Sequence, residues 1–140
     1  MKLERRAEVA EPAGGWYPDS GFWAVAARIG LVLAAIAIAY ASLAPGRYVP
    51  RLLYSYHLEH FAAFYVLCLM ATAAFPRAQL RALGLACMLI AAMLEGGQVV
   101  MAGRAGIEAY QNWLADVGGA FAAVLPIAVG RFRRLFRPKP

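Results

Sequence analysis

Residues 82–130 read ALGLACMLIAAMLEGGQVVMAGRAGIEAYQNWLADVGGAFAAVLPIAVG. Two apolar blocks, from about Ala82 to Ala102 and from about Asn112 to Gly130, are parted by a short polar connection holding Arg104 and Glu108. At about 1.5 Å of rise per residue, blocks of roughly 20 residues match a hydrocarbon core roughly 30 Å thick. Period-two alternation is absent, so closed strands do not fit. The polar residues of the two blocks sit at their adjoining ends: Glu95 and Gln98 close the first, Asn112 and Asp116 open the second.

Outward from this stretch the pattern repeats. Residues 57–75 form another apolar block, closed by Pro76 and Arg77, and residues 22–44 form a first one, closed by Pro45 and Gly46. The reading is an all-α bundle of four membrane spans, 22–44, 57–75, 82–102 and 112–130. Composition agrees, with 62% hydrophobic and 16% charged residues in a chain of 140; a soluble domain carries about a quarter charged residues. Residues 1–20 mix charge with Pro12, Pro18 and paired glycines and are expected to be a mobile tail. Residues 131–140 form a basic tail. Trp16, Tyr17, Phe22 and Trp23 crowd at the start of the first block, as aromatic rings do at headgroup level. Arg28, the charge within that block, is near enough to its start to snorkel. Ala39-Tyr40-Ala41 also resembles a leader cleavage site, a competing reading against which the long polar segment ahead of the block speaks.

The formal charge of +6 does not point to nucleic acid, because the cations flank apolar blocks. Ten of the 14 Lys and Arg fall in the N-terminal tail, the second connection (Arg77, Arg81) and the C-terminal tail. A four-span chain places these on one side, and the positive-inside rule makes that side cytoplasmic, with both termini. Cys68 and Cys87, each inside an apolar run, read as small buried hydrophobes. No cofactor is called for.

In this topology His57, Glu59 and His60, with Glu95, Gln98, Asn112 and Asp116, share one end of the bundle. The pairs 57/60, 95/98 and 112/116 are each three or four apart, hence on one helix face. The expected binding residues are His57, His60, Glu95, Gln98, Arg104, Asn112 and Asp116. A carboxylate facing lipid costs about 2.5 kcal/mol or more, so Glu95 and Asp116 are expected to turn inward and find partners. His60, Glu95 and Asp116 are the candidates for acid–base work, and with His57 they are the weak candidates for a metal. The plainer alternative is that these groups are anchors or interhelical hydrogen bonds, each contributing about 0.6 kcal/mol. Ser42 and Ser55 lack nucleophile-elbow glycines. Ala115, Gly119 and Ala123 repeat every four residues beside Gly118, and with Gly96-Gly97 they are expected to pack the third span on the fourth.

His60-Phe61-Ala62-Ala63-Phe64, Pro76-Arg77, Glu95-x-x-Gln98, the loop arginine Arg104, and Trp113-Leu114-Ala115-Asp116 with Gly119 together resemble VanZ-like membrane proteins, over roughly Ser42 to Ala123. The resemblance implies a multi-pass bacterial inner-membrane protein of the cell envelope. It connects the fold with resistance to the lipoglycopeptide teicoplanin but brings no settled activity. The chain departs from the family at Tyr56 and His57, where an aspartate and a lysine are usual, and at Asn112, where an aspartate is usual. Any activity needing those groups is thereby in doubt. The expected function is a non-catalytic envelope factor that binds or shields a cell-wall precursor, a lipid headgroup or a lipoglycopeptide. The alternatives are a small membrane enzyme acting on a lipid-linked envelope substrate, and a proton-linked transporter or channel subunit. Expected partners are the bilayer, a cell-wall precursor, phospholipid or glycopeptide, and further copies of the chain should the bundle assemble.

Overall fold

The computed structural model of the chain describes residues 21–44 and 48–136. The expected tail over residues 1–20, the turn at Pro45, Gly46 and Arg47, and the last four residues of the basic tail lie outside the described residues. Those described form four helices and no strand: α1 (Phe22–Leu43), α2 (Tyr56–Ala74), α3 (Leu80–Ala102) and α4 (Gly106–Leu135). All four are long and apolar enough to cross a membrane.

The first three helices match the expected spans to within two residues. The fourth does not: expected over 112–130, it begins at Gly106 and runs to Leu135. Glu108 and Tyr110 thus belong to the helix rather than to the preceding loop. Only Gly103, Arg104 and Ala105 separate it from α3. Gly103 makes so short a turn feasible, because its φ of 63° is the left-handed conformation a side chain disfavours. The amides of Gly103 and Arg104 both turn back on the Gln98 carbonyl, and Glu108 in the first turn of α4 suits the positive end of the helix dipole. At the other end, Arg131, Arg133, Arg134 and Leu135 are good helix formers, so the helix outruns the apolar block. Pro126 lies within α4; it removes one backbone hydrogen bond, a loss membrane helices tolerate where neighbours re-satisfy the freed carbonyl.

The helices alternate in direction. Arg28, early in α1, donates to the Ala74 carbonyl at the end of α2 (3.4 Å), and Arg131, late in α4, donates to Pro76 just beyond it (3.4 Å). At the opposite end, Gly97 of α3 approaches Leu43 of α1, and Asn112 of α4 meets Glu95 of α3. The most extensive packing is α2 on α4, followed by α3 on α4; α1 lies on α2 and α3. The core joins Phe64, Leu67 and Cys68 of α2, Cys87 and Ala91 of α3, and Ala120 and Ala123 of α4.

Hydropathy runs opposite to burial. α1 has the highest mean hydropathy, 2.2, yet Ala24 is its one buried residue, whereas α2, the most buried helix, has the lowest, 1.3. Large apolar side chains face outward along the bundle, among them Val100 (85% exposed) and Met93 (76%). In water so much contiguous apolar surface would drive association. Facing acyl chains it carries no such penalty, and the chain is a multi-pass membrane protein.

The tightest helix contact is made at Gly119. A Cβ there would overlap the Phe61 carbonyl oxygen and lie 3.0 Å from the Tyr65 amide nitrogen. Gly118 likewise faces the Phe61 ring. The glycines of the α4 stripe therefore pack on α2, not on the expected third span. Gly97 packs on α1, and Gly96 faces open space. The expected α3–α4 contact is made instead by side chains, including Val124 against Gly84 and the Trp113 indole N–H donating to the Met88 carbonyl (3.4 Å).

Candidate functional site

At the end of the bundle where α2 and α4 begin and α3 closes, five polar residues are buried: His60, Glu95, Gln98, Asn112 and Asp116. Each is placed by its helix register. His60 lies on the turn of α2 that precedes Phe64, four residues on and in the core. Glu95 stands four residues after Ala91, and Asp116 four before Ala120, both core positions. The apolar stripes that hold the core thus continue upward into polar side chains, which three helices aim at one another.

His60 Nδ1 lies 2.9 Å from Asp116 Oδ1 and 3.4 Å from Glu95 Oε1. Between two ionised carboxylates a ring nitrogen is stable as an N–H or as a ligand to a cation, since a bare lone pair would repel both. Glu95 is held from two further sides: Gln98 Nε2 donates to Oε1 (3.3 Å) and Asn112 Nδ2 donates to Oε2 (3.4 Å). Arg104 closes the cluster. Its Nη1 donates to Gln98 Oε1 and to the Tyr56 hydroxyl (2.7 Å), while its guanidinium stands over the Tyr56 ring at 5.0 Å. Tyr56 in turn meets the His60 ring edge to face at 4.6 Å. Among the described residues two buried side-chain atoms have no hydrogen-bond partner, Asn112 Oδ1 and Asp116 Oδ2. Both are acceptors, and both belong to this cluster.

Of the seven residues expected to bind, six meet here: His60, Glu95, Gln98, Arg104, Asn112 and Asp116. His57 does not. It is exposed, and the grouping of metal-ligating type found among the described residues consists of His60, Glu95 and Asp116, whose ligand atoms all lie within 4.8 Å of one another. A three-residue spacing leaves two side chains about 60° apart around a helix, enough for the core to take one and leave the other outside. Glu59 also lies apart; its Oε1 accepts the amides of Leu52 (2.6 Å) and Leu53 (2.8 Å) and so fastens the loop before α2.

Tyr56 is the member that sequence reasoning missed. Its signal was present, because it lies four residues before His60 and opens the helix. Deeper in the bundle, Cys68 of α2 and Cys87 of α3 are buried free cysteines in the same core cluster. Comparison with protein-family models, with curated proteins and with solved structures finds no match.

The cluster mixes acids, amides, an imidazole, a phenol and a guanidinium, and among the described residues no serine or cysteine is in hydrogen-bond contact with it. Such a set holds charge and recognises polar groups.

Proposed function

We propose that the chain is a VanZ-like protein of the bacterial inner membrane, with both termini cytoplasmic and the polar cluster near the outer surface. There it binds the polar part of an amphipathic envelope molecule: a cell-wall precursor, a phospholipid headgroup or a lipoglycopeptide of the teicoplanin type. The observation that carries the reading is the meeting of His60, Glu95 and Asp116, drawn from three helices and buried, beneath the Arg104–Tyr56 pair. Buried ionisable groups in a span are costly, and a bundle that needed only cohesion would use small and apolar residues, as α2 and α4 do at Gly119. Arg104 and Tyr56 supply a cation and an aromatic face at the rim, suited to phosphate and sugar groups.

The orientation is supported by the cations. Arg77, Arg81, Arg131 and Arg133 gather at the end away from the cluster, and Arg51 and Arg104 stand at the cluster end.

The test uses the full chain in lipid nanodiscs, assayed in chelator for retention of a lipid-linked muropeptide, fluorescent phosphatidylglycerol and teicoplanin. Glu95→Gln and Asp116→Asn are each expected to reduce retention of at least one of these about tenfold, the worth of one charge-assisted contact of about 1.4 kcal/mol. Gly96→Ala, which meets open space, serves as the control. Unchanged retention of all three amphiphiles by both acid variants would sink the reading.

A further inference from the structure

We infer that His60, Glu95 and Asp116 form the binding site of one divalent transition-metal ion, of the Zn²⁺ or Mn²⁺ class, with Asn112 Oδ1 as a fourth ligand. One imidazole nitrogen and one oxygen from each acid already lie within 4.8 Å of one another. In a tetrahedral site with bonds of about 2.0 Å the ligand atoms stand about 3.3 Å apart. The separation of His60 Nδ1 from Glu95 Oε1, 3.4 Å, meets that spacing, and its separation from Asp116 Oδ1, 2.9 Å, needs to widen by a few tenths of an ångström.

A second and independent observation comes from the unpartnered atoms. Asn112 and Asp116 are both 1% exposed, and Asn112 Oδ1 and Asp116 Oδ2 accept no hydrogen bond. The Asn112 side chain that carries the free oxygen is itself held to the cluster through its Nδ2, which donates to Glu95. Buried acceptors are normally satisfied, and two orphans on side chains that hydrogen-bond to His60 and to Glu95 point to a cation within this cluster.

Charge points the same way. Two carboxylates are withdrawn from water here, and Arg104 donates to Gln98 and Tyr56 rather than to either acid. A divalent ion balances both. On binding, the ion takes the place of the proton on His60 Nδ1: in a neutral ring that proton is carried on Nε2 instead, and from an imidazolium it leaves to water, so that a neutral ring and the acid oxygens become the ligands. The donor set selects the ion. It contains no sulfur, which disfavours Cu(I), and its imidazole and near-dryness disfavour Ca²⁺ and Mg²⁺, which prefer many oxygens and waters.

The experiment is elemental analysis of the full chain in nanodiscs, stripped with chelator, reloaded with ZnCl₂ or MnCl₂ and desalted. About one ion per chain is expected. His60→Ala should abolish uptake, and the Glu95→Gln/Asp116→Asn double variant should weaken it by about tenfold or more. The Cys68→Ala/Cys87→Ala double variant should keep it. Absence of a bound ion in the unaltered chain overturns the proposal, as does uptake surviving in His60→Ala or lost with the cysteines. Should the site variants fail to fold, loading the unaltered chain with Co²⁺ decides. Weak visible bands of nitrogen and oxygen ligation support the site, and an intense near-ultraviolet thiolate band or no Co²⁺ spectrum overturns it. The amphiphile assay is run in chelator, so either proposal can fail while the other stands.

Discussion

His60 stands between two acids, at 2.9 Å from Asp116 and 3.4 Å from Glu95, and each of the three is less than a tenth exposed. Two magnitudes compete for what this contact contributes. An ordinary interhelical hydrogen bond in a membrane stabilises by about 0.6 kcal/mol, whereas removing one partner from a desolvated charged group costs about 3–5 kcal/mol because it leaves the other uncompensated. His60→Leu, close in volume, strands both carboxylates and is expected to destabilise by about 3 kcal/mol or more, with part of the loss recovered by adding Asp116→Leu. Reversible unfolding in mixed micelles measures this, and a loss near 0.6 kcal/mol for the single change would reduce the cluster to plain interhelical bonding. At this scale the sequence was informative wherever an ionisable residue interrupted an apolar run. Glu95 and Asp116 were legible because lipid makes their outward orientation costly. His57 and His60 were not separable, since the choice between them depends on where the Phe64 stripe enters the core. Tyr56 was passed over despite its place four residues before His60, because a tyrosine opening a span is ordinarily an interfacial anchor.

Helices were legible from apolar length, and their ends only in part. Apolar length reports the thickness of hydrocarbon, and helix length reports hydrogen bonding, which continues into water; hence α4 passes its apolar block by six residues at one end and five at the other. Which helix a small-residue stripe faces is likewise not written in the stripe. Gly119 belongs to α2 because the Phe61 carbonyl reaches it there, and no pattern within α4 records Phe61. The consequence is testable by contrast. Gly119→Ala forces α2 and α4 apart against backbone atoms, which cannot rotate aside, and is expected to cost about 1–3 kcal/mol. Gly96→Ala adds its methyl to open space in a helix interior and is expected to be neutral or to stabilise by up to about 1 kcal/mol. Thermal unfolding of both variants in the same detergent checks the pair. Equal effects would mean that the α2–α4 approach is looser than its geometry.

Across the described residues the arrangement is that of a bundle turned outward: the most apolar helix is the most exposed, and the buried polar residues collect at one end of the interior. Aromatic rings border the lipid-facing band at both ends. Phe22 and Trp23 (5.3 Å between rings) stand with Phe132 and Phe136 (4.9 Å) at one end, and Tyr110 and Trp113 (6.2 Å) at the other. With 22 residues, α1 spans about 33 Å at about 1.5 Å per residue, matching the hydrocarbon. Because four helices alternate in direction, one fact about sidedness fixes all the others. Leu52, 84% exposed, lies in the α1–α2 connection at the cluster end, and Gln79, also exposed, lies in the α2–α3 connection at the other. In a Cys68→Ala/Cys87→Ala background, a membrane-impermeant maleimide applied to intact spheroplasts is expected to label Leu52→Cys and to leave Gln79→Cys unlabelled until the membrane is broken. The reverse pattern would place His60, Glu95 and Asp116 at the cytoplasmic leaflet. A ligand of the external envelope would then have no route to the cluster, while the metal site, which depends only on the distances among those side chains, would stand unchanged.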